Sequence, residues 1–339
     1  MLLEKLCNSI GPSGYEEQIR DVIRDELSTF TENIAVDRMG NIIVHKNNKN
    51  DSSPKIMIIS HMDESGIIIT AYNKDGTLKF SSLGNIDKNT LPCKAVLIGS
   101  KKIPGVIGIK PIHIQSSKER SGEVSYENMC IDIGAFSEEE CRKIISLGDF
   151  AIFNNDFSSF GDNLLKGKAL NDRIGCSILI EVLKEELKCN LYGVFNVQGN
   201  IDQRGIYGAA YNINPDLVII LDTINSIDYA EVPDCLTTDK LRGGPVIPFK
   251  GGQCIFSREI VESIRNKADG MGIPYQKIGN TQGEGEVKAV YLAANNCKTA
   301  SILIPCRYMN FNISVCSLAD YDNTLALLKS YLEEYNINI

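Results

Sequence analysis

The chain has 339 residues, 43% apolar and 23% charged, with a formal net charge of −8 at pH 7. That balance describes a soluble globular protein with one large α/β domain carrying an insertion, or with two ordinary domains. No basic stripe offsets the acidity, which argues against nucleic acid as a partner, and no apolar run reaches the length of a membrane span.

The N-terminal stretch Met1-Leu2-Leu3-Glu4-Lys5-Leu6 lacks the apolar core of a signal peptide. Pro12-Ser13-Gly14-Tyr15-Glu16 then reads as a helix start, with Ser13 as N-cap and Glu16 closing a capping box. Ile19, Val22, Ile23 and Leu27 follow as one apolar stripe at helical spacing. Met39-Gly40-Asn41 marks a turn into a short strand at 42–44, and the polar stretch 46–55 reads as a solvated loop. The continuous apolar run 55–60 suits a central strand covered on both faces. From 67 to 164 the pattern changes to short antiparallel strands, with Asp75-Gly76 as a hairpin signal and one helix near 137–145. Helix–strand alternation returns at Leu170, with strands at 192–197, 217–221 and 301–304, a helix from 257 to about 268, and a C-terminal helix carrying Leu325, Leu328 and Leu332. The economical architecture is a mixed-sheet α/β domain formed by residues 1–66 and 165–339, interrupted by a β-rich insertion at 67–164. The eleven cysteines are scattered without a CxxC pair, so they read as free, mostly buried thiols in a reducing cytosol.

Open α/β sheets bind ligands where their strands end. Here polar clusters follow three strands: His61-Met62-Asp63-Glu64, Gln198-Gly199-Asn200 and Asp222-Thr223. A fourth, Asn171-Asp172-Arg173, opens a helix, and a fifth, Arg307-Tyr308-Met309-Asn310, follows the strand at 301–304. His61 with Asp63 fits a metal-binding imidazole oriented by a carboxylate, or simply a hydrogen-bonded histidine at a strand end. Asp172 and Arg173 fit dipole compensation and a salt bridge at a helix start. Glu284 and Glu286 fall in the glycine-rich Gly283-Glu284-Gly285-Glu286 and read as solvated carboxylates that could reach a site.

Taken in order, these clusters resemble the glutamyl aminopeptidase and cellulase M family of dinuclear-metal aminopeptidases, the tetrahedral type included. The resemblance runs end to end. It includes Gly11-Pro12-Ser13-Gly14-Tyr15-Glu16, Asp37-Arg38-Met39-Gly40-Asn41, Ser60-His61-Met62-Asp63-Glu64, Gly105-Val106-Ile107-Gly108, Ile131-Asp132-Ile133-Gly134-Ala135, Ala169-Leu170-Asn171-Asp172-Arg173, Val197-Gln198 with Arg204-Gly205, and Ile304-Pro305-Cys306-Arg307-Tyr308-Met309. It implies a zinc-aminopeptidase-like catalytic domain with an inserted β-rich, PDZ-like or barrel dimerisation domain. It also implies two zinc or cobalt ions and homo-oligomers from a dimer to a dodecamer.

The resemblance places one metal on His61 and Asp222, with Asp63 as the supporting carboxylate. At the other positions this chain departs from the family. Asn171 stands for the bridging aspartate, Gly199 for the catalytic base, Asn200 for the ligand glutamate and Asn310 for the last histidine. The family's Thr-Asp is displaced into Thr281-Gln282-Gly283-Glu284. A neutral amide is a weak donor where a catalytic metal wants carboxylate or imidazole, and glycine cannot take a proton. The expectation is therefore a scaffold with impaired or silent hydrolysis, holding no metal or one weakly bound divalent ion, and able to bind a peptide or amino acid. The alternative is an active single-metal aminopeptidase on His61 and Asp222, completed by Asp63, Asp172, Glu284 or Glu286. Cellulase activity finds no carboxylate pair at a definable separation.

Overall fold

The computed structural model describes residues 1–46, 53–117, 122, 124–229, 231–233, 239–252, 254–278, 285–309 and 311–335. The expectations placed on Thr281, Gln282, Gly283, Glu284 and Asn310 lie outside the described residues. The chain divides into two compact units: Met1–Asp63 with Phe157–Met309 and the stretch from Ile313 onward, and Glu64–Asp156 with residues 311–312.

The first unit opens with helices α1 (Leu2–Asn8) and α2 (Glu17–Ser28) and strands β1 (Ile34–Val36), β2 (Ile42–Lys46) and β3 (Lys55–His61). Ile19, Ile23 and Leu27 of α2 are fully buried, as their spacing requires. The capping box does not form. Ser13 donates instead to Asp63 at 2.5 Å, and Glu16 accepts from the N–H groups of Gly14 and Gln198. Ser13, and Glu16 through Gln198, are taken up by partners far along the chain, which local pattern cannot reveal.

The second unit holds β4 (Gly66–Tyr72), β5 (Thr77–Leu83), β6 (Ala95–Ile98), β7 (Ile103–Ile109), β8 (Met129–Asp132), helix α3 (Glu138–Ile144) and β9 (Phe150–Phe153). Its strands close into a barrel in the order β4-β5-β8-β7-β6-β9. Closure removes the exposed edges that short antiparallel strands would otherwise present. Ile67, Ile69, Leu78, Phe80, Val96, Ile98, Ile107 and Ile131 fill its core. Gly76 turns the β4–β5 hairpin at φ 85°, where a Cβ would lie 2.3 Å from the Ala135 carbonyl oxygen, so only glycine fits.

The chain then returns through β10 (Ser158–Phe160), β11 (Leu164–Gly167), α4 (Leu170–Lys184), β12 (Asn190–Asn196), α5 (Arg204–Ile213), β13 (Leu217–Asn225), β14 (Lys250–Gly251), β15 (Cys254–Ile255), α6 (Arg258–Met271), α7 (Gly285–Ala293), β16 (Lys298–Arg307), β17 (Ser314–Ser317) and α8 (Leu318–Glu334). The insertion ends at Asp156 rather than at 164, because β10 and β11 pair into the large sheet through β17.

That sheet has nine strands in the order β1-β2-β12-β3-β13-β16-β17-β11-β10. The central strands β12, β3, β13 and β16 are mutually parallel, and the flanking ones are antiparallel. The parallel strands are the apolar runs of the sequence. Residues 56–61 of β3 are all buried, as a strand covered on both faces demands. Parallel pairing brings the ends of β3 and β12 together, with Asn196 opposite His61, while Asp222 lies in β13 on the other side of β3. The ten cysteines among the described residues are free thiols, most of them buried. None of the described helices is long and apolar enough to cross a membrane.

Candidate functional site

The site lies where β3 and β12 finish, with α4 opening above them. His61 ends β3 and is 5% exposed. Its Nδ1 faces the Asp63 backbone oxygen at 3.1 Å and Asp63 Oδ1 at 3.3 Å. Its Nε2 faces Asn171 Oδ1 at 3.2 Å, with Asp222 Oδ1 at 4.0 Å. Both ring nitrogens therefore look at oxygen acceptors. Burial alone would lower the imidazole pKa, but the hydrogen bond and charge of Asp63, with Asp222 and Asp172 behind, push it up to about 10.

Asp63 is fully buried and collects donors on both carboxylate oxygens. Oδ1 accepts from Gly199 N at 2.6 Å, and Oδ2 accepts from Ser13 Oγ at 2.5 Å, Asn200 N at 3.0 Å and Asn200 Nδ2 at 3.1 Å. Burial works against its charge, yet His61 and these donors prevail and hold it at about 2. The Asn200 amide also donates to the Asp63 carbonyl at 3.3 Å. The turn after β12 is thus folded onto Asp63. Gly199 makes this possible: a Cβ there would stand 2.4 Å from His61 Cβ and 2.5 Å from its Cγ. The flanks of the turn are fixed by the buried Asn41. Its Oδ1 accepts from Val197 N at 2.9 Å, and its Nδ2 donates to the Gly205 carbonyl at 2.9 Å.

The other side of the pocket is acidic. Asp172 follows the cis Asn171–Asp172 peptide at the start of α4. It is fully buried and accepts from Ser60 Oγ at 2.5 Å and Gly175 N at 3.1 Å. Burial, then the charge of Asp222, drives its pKa well up. Burial raises Asp222 too, with His61 and the Thr223 N–H opposing. Glu286 departs from expectation. It sits buried in the first turn of α7, not in a solvated loop. Gln203 Nε2 donates to it, and burial with the Asp222 charge lifts its pKa to about 8. Nor does Asp172-Arg173 act as a surface pair: Arg173 is fully buried and donates from Nη1 to the Leu6 carbonyl at 2.8 Å.

The profile of M42 glutamyl aminopeptidases matches residues 40–327. The chain belongs to this family. It is 29% identical to the lysyl aminopeptidase of Pyrococcus furiosus over 343 residues, covering 98% of this chain and 96% of the relative. The TET aminopeptidase from the marine sediment archaeon Thaumarchaeota archaeon SCGC AB-539-E09 superposes with a TM-score of 0.93 at 26% identity, covering 99% and 96% of the two chains. The TET1 peptidase of Pyrococcus horikoshii, which can assemble into a tetrahedron or a large octahedral shell, superposes at 0.85 with 30% identity and 98% coverage of each chain.

M42 peptidases are metal-dependent, and the donor set described here is short of the family's. Among the described residues no group of three His, Cys, Asp or Glu side chains is placed to hold one. Asn171 and Asn200 face His61 and Asp63 respectively, so each amide serves the hydrogen-bond network. The structure gathers His61, Asp63, Asn171, Asp172, Gly199, Asn200, Asp222 and Glu286 in one cluster. Sequence reasoning did not place Ser13, Asn41, Ser60 and Gln203 in it. Ser13, Asn41 and Ser60 carried a signal as members of motifs, Ser13 as a helix cap and Asn41 as the end of a turn, while Gln203 carried none.

Proposed function

We propose that this chain is an M42 scaffold in which a hydrogen-bonded network has replaced two-metal hydrolysis, so that it binds a peptide or amino acid without cleaving it. The carrying observation is the approach of Gly199 to His61. With 2.4 Å between a Cβ at 199 and His61 Cβ, no carboxylate base can be mounted at that position on this backbone. General-base catalysis needs a group that can take the proton of the attacking water. The donor set supports the same reading, because amides at 171 and 200 satisfy His61 and Asp63 where carboxylates would be left repelling one another. The closed barrel and the assembly of the Pyrococcus horikoshii relative support a homo-oligomer in which the insertion mediates dimerisation.

The test is elemental analysis of purified protein together with a panel of aminoacyl p-nitroanilides, assayed with added zinc, cobalt or manganese. The expected result is no stoichiometric metal and no turnover above background. Two equivalents of tightly held metal, or turnover abolished both by chelator and by His61→Ala, overturn the reading.

One observation favours a second reading, an aminopeptidase with a single metal on His61 and Asp222. Glu286 is buried on the acidic side of the pocket and feels both groups. Chelator-sensitive turnover that is lost in Glu286→Gln would select it.

A further inference from the structure

A separate cavity of about 640 Å³ opens beside the turn after β12, lined by Met39, Asp202, Arg204, Tyr207, Gly285 and Lys288. Small-molecule sites commonly span about 300–1,000 Å³. Its two cations, Arg204 and Lys288, form no ion pair or side-chain hydrogen bond among the described residues. Arg204 opens α5 and Gly285 opens α7, so two helix N-termini meet at the wall and add partial positive charge. Among the described lining residues, Asp202 offsets one cation and leaves one positive charge in excess. Tyr207 and Met39 are partly exposed, at 38% and 40%, and supply an aromatic face and a thioether beside the cations. Gln203, between Asp202 and Arg204, donates to Glu286, the neighbour of Gly285. The cavity wall is thereby tied to the acidic side of the pocket.

We infer that this cavity binds a small organic anion, its carboxylate or phosphate head between Arg204 and Lys288 and its apolar body on Tyr207 and Met39. Guanidinium matches a carboxylate or phosphate edge with two parallel hydrogen bonds, and an ammonium adds a point charge. A bare inorganic ion would fill only a small part of the volume, so the body of the ligand contributes to binding. The inference stands whether or not the neighbouring pocket hydrolyses peptides.

Calorimetric titration of the full chain with phenyl phosphate tests it, with phenylacetate (the carboxylate of phenylacetic acid), inorganic phosphate and phenol as parallel probes. Saturable binding of one phenyl phosphate per chain is expected, with inorganic phosphate and phenol each weaker by roughly tenfold or more. The phenylacetate arm decides between phosphate and carboxylate as the preferred head. The double substitution Arg204→Ala with Lys288→Ala should weaken phenyl phosphate by at least roughly tenfold, and Tyr207→Ala by roughly threefold. Both cations are exposed, so an unchanged melting temperature should accompany the loss. The inference fails if neither organic anion binds at millimolar concentration, or if the double variant, still folded, binds as tightly as the parent.

Discussion

Asp63 and Glu286 are both buried carboxylates within the field of one histidine, yet their surroundings treat them in opposite ways. Asp63 has His61, Ser13, two backbone N–H groups and the Asn200 amide arranged around it, and its pKa falls to about 2. Glu286 has the Gln203 amide and a neighbouring carboxylate, and its pKa rises to about 8. Burial penalises both. What separates them is the number of donors and the presence of an opposite charge. The Asp63 side is a satisfied hydrogen-bond network. The Asp222 side holds several acids with few donors.

The sharpest way to break this comparison is Asp63→Ala. It would leave the His61 charge buried without its partner and would free the turn, at a cost of about 3–5 kcal/mol by chemical denaturation. A loss below about 1 kcal/mol would mean that the network is not holding the site. Gly199→Glu comes next, since it forces a carboxylate into the completed side. The contact with His61 should cost about 1–3 kcal/mol, with neither peptidase activity nor bound metal raised above the parent's. A rise in either would show that the turn can move aside. The smallest effect is expected from Glu286→Gln, read as melting temperature against pH. A carboxyl raised from an ordinary 4.5 to about 8 contributes stability that is complete below pH 4.5 and is lost as pH rises through 8. The variant should therefore gain roughly 2–4 °C over the parent at pH 8–9 and nothing at pH 4. The Asp63–His61 pair behaves differently at the acid end. The Asp63 contribution is present above 3.8 and lost only as pH falls through about 2, while that of His61 is complete below 6.5 and lost as pH rises through about 10.

The fold was legible in the sequence wherever burial imposed a periodic pattern. The central strands announced themselves as apolar runs, and the insertion as a change of rhythm near residue 67. The boundary at 156 was not legible, because β10 and β11 join the large sheet through partners more than a hundred residues away. At the site, residues at strand ends could be named in advance, but their roles could not. Ser13 looks like a helix cap until Asp63 is seen beside it, and Glu286 looks like a loop carboxylate until the helix that buries it is seen. Nothing local marks Gly199 as a steric requirement, since the group it must clear belongs to another strand.

Asn41 holds both flanks of the turn after β12 with one side chain, and Gly205 leaves no space for a Cβ against it. The segment between those anchors therefore works as an interchangeable cartridge. Its interior can be rewritten while the strand that enters it and the helix that leaves it stay in place. Substitutions within such a segment can therefore change which groups face His61 and Asp63 at little cost to the surrounding fold.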